Sequence, residues 1–155
     1  MTTGITPAQP EDLAAISRLL SADDLPLEGL ADHLATTLVA RSQGHVVGAA
    51  GLEVYAEGGL LRSVVIDRGF RGTGLGRQLV EAVTGLARAR GLPALYLLTT
   101  TAAAYFPKLG FVVIARDEIP MGVQQSVEFT SACPASASAL MKRLWAQTGP
   151  RRVRW

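Results

Sequence analysis

The stretch Val64-Val65-Ile66-Asp67-Arg68-Gly69-Phe70-Arg71-Gly72-Thr73-Gly74-Leu75-Gly76-Arg77 passes from an apolar strand, through a loop rich in glycine and arginine, into an amphipathic helix. Leu75, Leu79, Val80, Val83 and Leu86 recur at helical spacing, so the helix extends over residues 74–90, and Gly91-Leu92-Pro93 stops it. Backbone N–H groups at a helix N-terminus lack intrahelical acceptors and carry partial positive charge, which suits phosphate oxygens. Glycine in the preceding loop lets a pyrophosphate approach that backbone closely. Two familiar phosphate loops fail on spacing. A G-x-G-x-x-G fingerprint begun at Gly72 needs glycine where Arg77 stands, and a P-loop needs a Gly-Lys-Ser/Thr ending that the stretch lacks.

Upstream, residues 3–6 read as extended, and Pro10-Glu11-Asp12 opens a helix with Leu13, Ile16, Leu19 and Leu20 on one face. A short helix is expected over residues 27–34 and a strand over 36–40. Residues 46–55 and 60–66 form two further strands across the tight loop 56–59, completing an antiparallel meander. Downstream, residues 94–99 are a nearly continuous apolar run suited to a buried parallel strand. A short helix over 101–109 ends at Gly110. A strand over 111–115, a helical segment over 120–129 and a last strand over 140–144 complete the chain. The expected fold is α/β (α+β): a mixed sheet of about six to seven strands flanked by helices.

With 48% hydrophobic and 18% charged residues, the chain is too apolar for a disordered protein. No repeat or linker divides it, so residues 1–147 read as one domain and 148–155 as a basic tail. A net charge of +2 argues against a nucleic-acid partner. The single cysteine, Cys133, excludes an internal disulfide and a Cys-rich metal site; with His33 and His45 outside any zinc spacing, no metal is expected. Both histidines read as exposed surface. No run approaches the roughly 20 apolar residues of a membrane helix, and the first residues lack the regions of a signal peptide; no membrane association and a cytoplasmic location are expected.

Arg71, Gly74 and Gly76 occupy the fixed positions of Q/R-x-x-G-x-G/A, the pyrophosphate motif of the GNAT family of acyl-CoA-dependent N-acetyltransferases, which the chain resembles. Tyr105-Phe106-Pro107-Lys108-Leu109-Gly110-Phe111 is similar to the short helix and K-x-G-F turn of the same family, so the resemblance spans residues 46–111. It implies acetyl-CoA as acyl donor, lying where two parallel central strands splay apart. Val64, Val65 and Ile66 would face its acyl end, and Arg71, Gly72, Thr73, Gly74, Leu75, Gly76 and Arg77, with Lys108, its phosphate end. It also implies direct attack by an amine without a metal. Dimers are common in this fold, and Trp145, Val153 and Trp155 offer apolar surface for a homodimer. The family's usual acid, a tyrosine two residues before the lysine, is replaced by Phe106. Tyr105 is the remaining candidate, directed about 100° away round the helix, either as an acid or as a polar handle on the pocket wall.

Leu60-Leu61-Arg62-Ser63, Leu97-Leu98-Thr99-Thr100-Thr101 and Glu128-Phe129, followed by Cys133-Pro134-Ala135-Ser136-Ala137, resemble a narrower GNAT branch associated with arsenic resistance operons. Better understood relatives of that branch acetylate phosphinothricin-type amino acids, which implies a small anionic amino-acid-like acceptor and a detoxifying role. Those relatives carry a glutamate where Leu61 stands, which leaves Glu53 as the next candidate base. If Glu57-Gly58 is the hairpin turn, Glu53 faces Arg62 directly across the ladder. The pair then either works on substrate, Glu53 taking the amine proton through water and Arg62 binding a carboxylate, or is a structural ion pair. Ser63, Thr99 and Thr100 are candidates for substrate contact, the two threonines lying where a parallel strand ends and a helix begins; Thr101 is placed to cap the helix that follows. Cys133 either touches substrate from the far loop or is a small buried residue before Pro134. Two other readings stay open: a protein or peptide N-acetyltransferase, and a non-catalytic acyl-CoA-binding regulatory domain, for which Phe106 speaks.

Overall fold

The computed structural model describes residues 3–132, 134 and 136–145. Seven strands, β1 (Thr3–Pro7), β2 (Thr37–Ser42), β3 (His45–Tyr55), β4 (Gly58–Ile66), β5 (Ala94–Thr99), β6 (Val112–Ile114) and β7 (Ser138–Arg143), form one mixed sheet in the order β1-β2-β3-β4-β5-β7-β6. β2 to β4 are the expected antiparallel meander, and β1 extends it as a further antiparallel strand. β4 and β5 are the parallel pair, connected through α2 (Leu75–Ala89). α2 buries Leu75, Leu79, Val80, Val83 and Ala87 against Ala40, Ala50, Leu52 and Leu61 of the sheet. α1 (Leu13–Ala22) inserts Ile16 and Leu20 beside Val39, Ala49 and Val65. Val39 and Ala49 alternate with Ala40 and Ala50, so the helices cover opposite sheet faces. Each fully buried Leu or Val on these stripes contributes about 1.5–3 kcal/mol of transfer free energy.

The differences from expectation lie in the irregular segments. The helix expected over 27–34 is a 3₁₀ segment at Ala31–Thr36. The helix expected over 101–109 is reduced to 3₁₀ at Phe106–Leu109. Pro107 brings no N–H to a helix there, and Thr99 Oγ1 accepts the Ala102 N–H at 3.0 Å, closing a turn in place of a helical start. Thr101 therefore has no helix to cap, and Thr99 closes the turn. The segment 120–129 splits into a 3₁₀ turn at Val123–Gln125 and a π-helical turn at Glu128–Ala132, separated at Ser126, whose ψ of 144° is non-helical.

β4 and β5 pair at Gly59↔Leu95 and Leu60↔Tyr96, and from Leu61 onward they diverge. The core leaves no room for a side chain at Gly59, where a Cβ would lie 2.6 Å from Leu52 Cδ1 of β3 and 3.1 Å from Leu95 Cδ2 of β5. Beyond it, β4 bulges. Its register against β3 shifts between Ala49 and Gly51, and Ser63 takes a left-handed φ of 58°, which costs about 1 kcal/mol for a residue with a Cβ. The strand that would have continued beside β5 thus turns its edge toward an opening. No helix among the described residues is long and apolar enough to cross a membrane.

Candidate active site

The glycine loop is held by its own short-range bonds. Asp67 Oδ1 accepts the Gly69 N–H at 3.0 Å, and the Thr73 hydroxyl donates to the Phe70 carbonyl at 2.6 Å. Gly72 and Gly74 adopt φ of 78° and 85°, left-handed values that favour glycine, and a Cβ on either would meet nothing within 4 Å. The loop's outer face is therefore open. Gly74 caps α2, and the first helical bond runs from Gln78 N–H to Gly74 O, so the N–H groups of residues 74–77 have no partner inside the helix. Arg71 does not reach over these groups: its Nη2 lies 2.6 Å from Asp23 Oδ2 and its Nε donates to Ile66 O at 3.2 Å. Arg77 sits half-exposed beside Glu81 at 3.5 Å, a surface pair of little energetic weight.

The splay between β4 and β5 and this helix N-terminus open into one cavity of about 700 Å³. Val64, Val65, Ile66, Gly72, Leu75 and Gly76 line it, as do Arg71, Arg77 and Lys108 at its cationic rim. Ser63, Thr99, Thr100 and Glu128 border it further in. Thr73 is not on its wall, its hydroxyl being turned back onto Phe70. Phe106 packs into the core edge-on to Phe111, with ring centroids 5.7 Å apart. Tyr105 projects over α2: a Cβ on Gly76 would stand 2.9 Å from its hydroxyl oxygen. Burial raises the Tyr105 pKa, against a smaller opposing influence from Arg77, so the phenol is protonated at neutral pH.

Behind the cavity lies a buried polar network. Arg62 is 3% exposed and Glu53 is 0% exposed, and Arg62 Nη1 donates to Glu53 Oε2 at 2.8 Å. The hairpin turn is Ala56-Glu57, not Glu57-Gly58, because Tyr55 pairs with Gly58. Glu53 consequently opposes Leu60 and Arg62 opposes Gly51, which corrects the expected direct pairing. Moving a hairpin's centre by one residue shifts the register by two, so both side chains keep the same face and meet diagonally. Gly51, having no side chain, leaves the space that Arg62 crosses: a Cβ there would stand 3.4 Å from Arg62 Cγ.

Tyr55, two residues along β3 and on the same face, donates its hydroxyl to Glu53 Oε1. Burial alone would raise the Glu53 pKa. Hydrogen bonds from Tyr55, Ser126 and Arg62, with His33 nearby, outweigh burial and hold the carboxyl below its ordinary value. Tyr55 is pushed up to about 12 by burial and by that same carboxylate. His33 is half-buried, its Nε2 3.7 Å from Glu53 Oε2, so the expectation of a surface histidine fails. Arg62 Nε donates to Ser63 Oγ at 3.0 Å and lies 3.6 Å from Glu128 Oε2. One nitrogen of the guanidinium remains: among the described residues, the buried Arg62 Nη2 has no hydrogen-bond partner.

A family model described as an acetyltransferase (GNAT) domain matches residues 33–113. The chain belongs to the GNAT family. It is 26% identical over 132 residues to an uncharacterised N-acetyltransferase of Chlorobaculum tepidum, a match covering 78% of this chain and 83% of that protein. Against an amino-acid acetyltransferase of Ralstonia nicotianae it is 34% identical over 89 residues, 56% of this chain and 20% of the relative's length. Among solved structures, N-acetylglutamate synthase from Neisseria gonorrhoeae, complexed with coenzyme A and N-acetyl-glutamate, superposes with a TM-score of 0.81 at 22% identity. That superposition covers 94% of this chain and 36% of the synthase. It is a likeness of fold.

Within this GNAT fold, the cavity gathers Arg62, Ser63, Val64 to Ile66, the glycine loop, Thr99, Thr100, Tyr105 and Lys108. Glu53 is not among its lining residues and stands behind Arg62. Cys133 and the tail from residue 146 onward lie outside the described residues. Sequence reasoning missed four network members. Tyr55 was within reach, since strand alternation puts residues 53 and 55 on one face. His33, Ser126 and Glu128 come from irregular segments, whose contacts no periodicity announces.

Glu53→Gln removes one partner of a buried pair and is expected to cost about 3 kcal/mol of stability, the lower end for such a loss because Glu128 still faces Arg62. A carboxyl whose folded pKa is depressed contributes stability above its unfolded pKa, and that contribution is lost as pH falls through the folded value. Urea unfolding of the wild type should therefore show stability declining below pH 4.5, the ordinary value for this group, and the variant should show a shallower decline. Equal acid slopes in the two proteins would contradict the network.

Proposed function

We propose that this chain transfers an acetyl group from acetyl-CoA to the primary amine of a small amino-acid-like acceptor bearing a carboxylate or similar oxyanion. The observation that carries this reading is one cavity running from the N–H groups left unpaired within the helix at the start of α2 to a buried guanidinium whose Nη2 has no partner among the described residues. The donor end suits a pyrophosphate: residues 74–77 supply backbone donors, the glycines leave the approach open, and Arg77 and Lys108 add positive charge at the rim. The bulged edge of β4, beyond its last pair with β5, supplies backbone donors for a thioester carbonyl. The acceptor amine attacks that carbonyl directly, forming the C–N bond as the C–S bond breaks.

At the acceptor end, Arg62 is immobilised by Glu53, Ser63 and Glu128, and its Nη2, without a partner among the described residues, is a charge-assisted donor for a carboxylate or phosphinate. Glu53 is better suited to holding Arg62 than to taking a proton, because it is fully buried and its basicity is depressed. The resemblance to the arsenic-resistance branch, and a relative named as an amino-acid acetyltransferase, add phosphinothricin-like and arsenical amino acids and ordinary amino acids to the acceptors to be tested. Tyr105, with its hydroxyl over the first turn of α2, serves the donor end as a polar handle.

Mass-spectrometric detection of acetylated product, from acetyl-CoA and a panel of amino acids, polyamines, aminoglycosides and peptides, tests the reading. Product confined to oxyanion-bearing amino acids is expected; acetyl-CoA binding without product on any amine would favour a binding module. Arg62→Lys, which retains a charge for Glu53 but loses the fork, should raise KM at least tenfold for an amino acid, since a hydrogen bond to a charged group is worth about 1.5–3 kcal/mol. The matching amine without a carboxylate should be unaffected, and an equal rise for both would remove Arg62 from carboxylate binding. Tyr105→Phe should raise KM for acetyl-CoA by up to about tenfold at constant kcat, the value of one hydrogen bond. A fall in kcat at constant KM would instead make Tyr105 the acid that protonates the departing thiolate.

A further inference from the structure

We infer that Glu128 is the carboxylate that binds the acceptor's ammonium group and receives its proton, and that together with Arg62 it makes the acceptor end a site for zwitterionic α-amino acids. This rests on the acetyl-transfer reading above and deepens it. An amine of ordinary basicity is protonated at neutral pH and cannot attack until it sheds that proton, so a nearby proton acceptor is required. Two carboxylates approach Arg62, and they differ in where they face. Glu53 is sealed behind the guanidinium, with one oxygen taken by Tyr55 and the other by Arg62. Glu128 is 4% exposed yet lines the cavity, 3.6 Å from Arg62 Nε.

The placement points the same way. Two carboxylates face the one guanidinium, and the one on the cavity wall is Glu128, a group whose charge suits a cation. Beside it stands the Arg62 Nη2–H without a partner among the described residues, a donor for an anion. A buried donor left unpaired costs about 1–3 kcal/mol, which an arriving carboxylate recovers. An α-amino acid carries ammonium and carboxylate on one carbon and so meets both groups at once; a simple amine meets one of them.

The proton bookkeeping closes. The ammonium gives one proton to Glu128 and becomes the nucleophilic amine. Its nitrogen bonds to the thioester carbon, the C–S bond breaks with its electron pair going to sulfur, and the second N–H proton ends on the thiolate. Glu128 then returns its proton to solvent through the cavity. Among the described residues, Arg62 faces it directly, and Glu53, Tyr55 and His33 join it through the guanidinium.

The test uses the full chain, a panel of proteinogenic L-α-amino acids, and for each its decarboxylated amine. Wild type, Glu128→Gln and Glu128→Asp are compared in kcat/KM against pH, with acetyl-CoA affinity by calorimetry as the check that each variant folds and binds donor. Glu128→Gln is expected to lower kcat/KM for the amino acids by about a hundredfold, the lower range for losing a positioned base. It should also abolish the fall in rate on the acid side, while acetyl-CoA affinity stays within about twofold. Glu128→Asp should restore part of the rate and the acid-side fall. Wild-type kcat/KM and an unchanged pH profile in Glu128→Gln would overturn the assignment and leave acetyl transfer standing. A wild-type preference for the decarboxylated amines would overturn the zwitterion site. Acetyl-CoA binding by wild type without turnover of any amine would remove the transfer reading and this inference with it.

Discussion

Two residue pairs, Gly59 with Leu95 and Leu60 with Tyr96, join β4 to β5, and the divergence that follows shapes everything the site contains. Had the pairing continued, the edge of β4 from Leu61 to Ile66 would be occupied by a neighbour. The bulge prevents this. Ser63 holds a left-handed backbone, and the register against β3 slips by one position across Ala49 to Gly51. The cost of about 1 kcal/mol is small beside the packing of α2 and α1 on the two sheet faces, which keeps both arms of the opening in place. Strain localised at one serine thus exchanges strand pairing for a cavity wall.

On one side of that opening the chain spends polar groups where apolar ones would pack. A buried ion pair is seldom a source of net stability, because desolvating two charges costs about as much as their attraction returns. What the Glu53–Arg62 pair supplies is direction. Tyr55 and Ser126 fix Glu53, Glu53 fixes one guanidinium nitrogen, and Ser63 fixes another, which leaves the third without a partner among the described residues. Gly51 and Gly29 make room for the side chain: a Cβ at Gly29 would stand 2.7 Å from Arg62 Nη1.

The glycine loop and its helix were legible in the sequence because their function is carried by backbone geometry, and Gly72, Gly74 and the stripe from Leu75 to Val83 state that geometry directly. The partnership of Glu53 with Arg62 was legible as a shared face but not as a register, since Ala56-Glu57 and Glu57-Gly58 are both acceptable hairpin turns and differ by one residue. The orientation of Tyr105 was harder to read. The 100° per residue of an α-helix over 101–109 does not apply, because Pro107 and the turn closed by Thr99 leave a 3₁₀ segment in its place. His33, Ser126 and Glu128 join the network from segments without periodicity, where partners are set by tertiary contact alone.

The ion pair between Asp23 and Arg71 ties the end of α1 to the glycine loop, with both residues on the cavity wall. Any phosphate that settles at the start of α2 meets a guanidinium already engaged, so that contact is an exchange of one anion for another and adds to affinity only the difference between them. Asp23, released, would stand as a like charge near the same phosphate. A phosphate bound at this end would therefore lean on the fixed backbone donors, and the most conspicuous cation of the loop would act as a counterweight, making binding less tight and release less slow than a count of positive charges suggests.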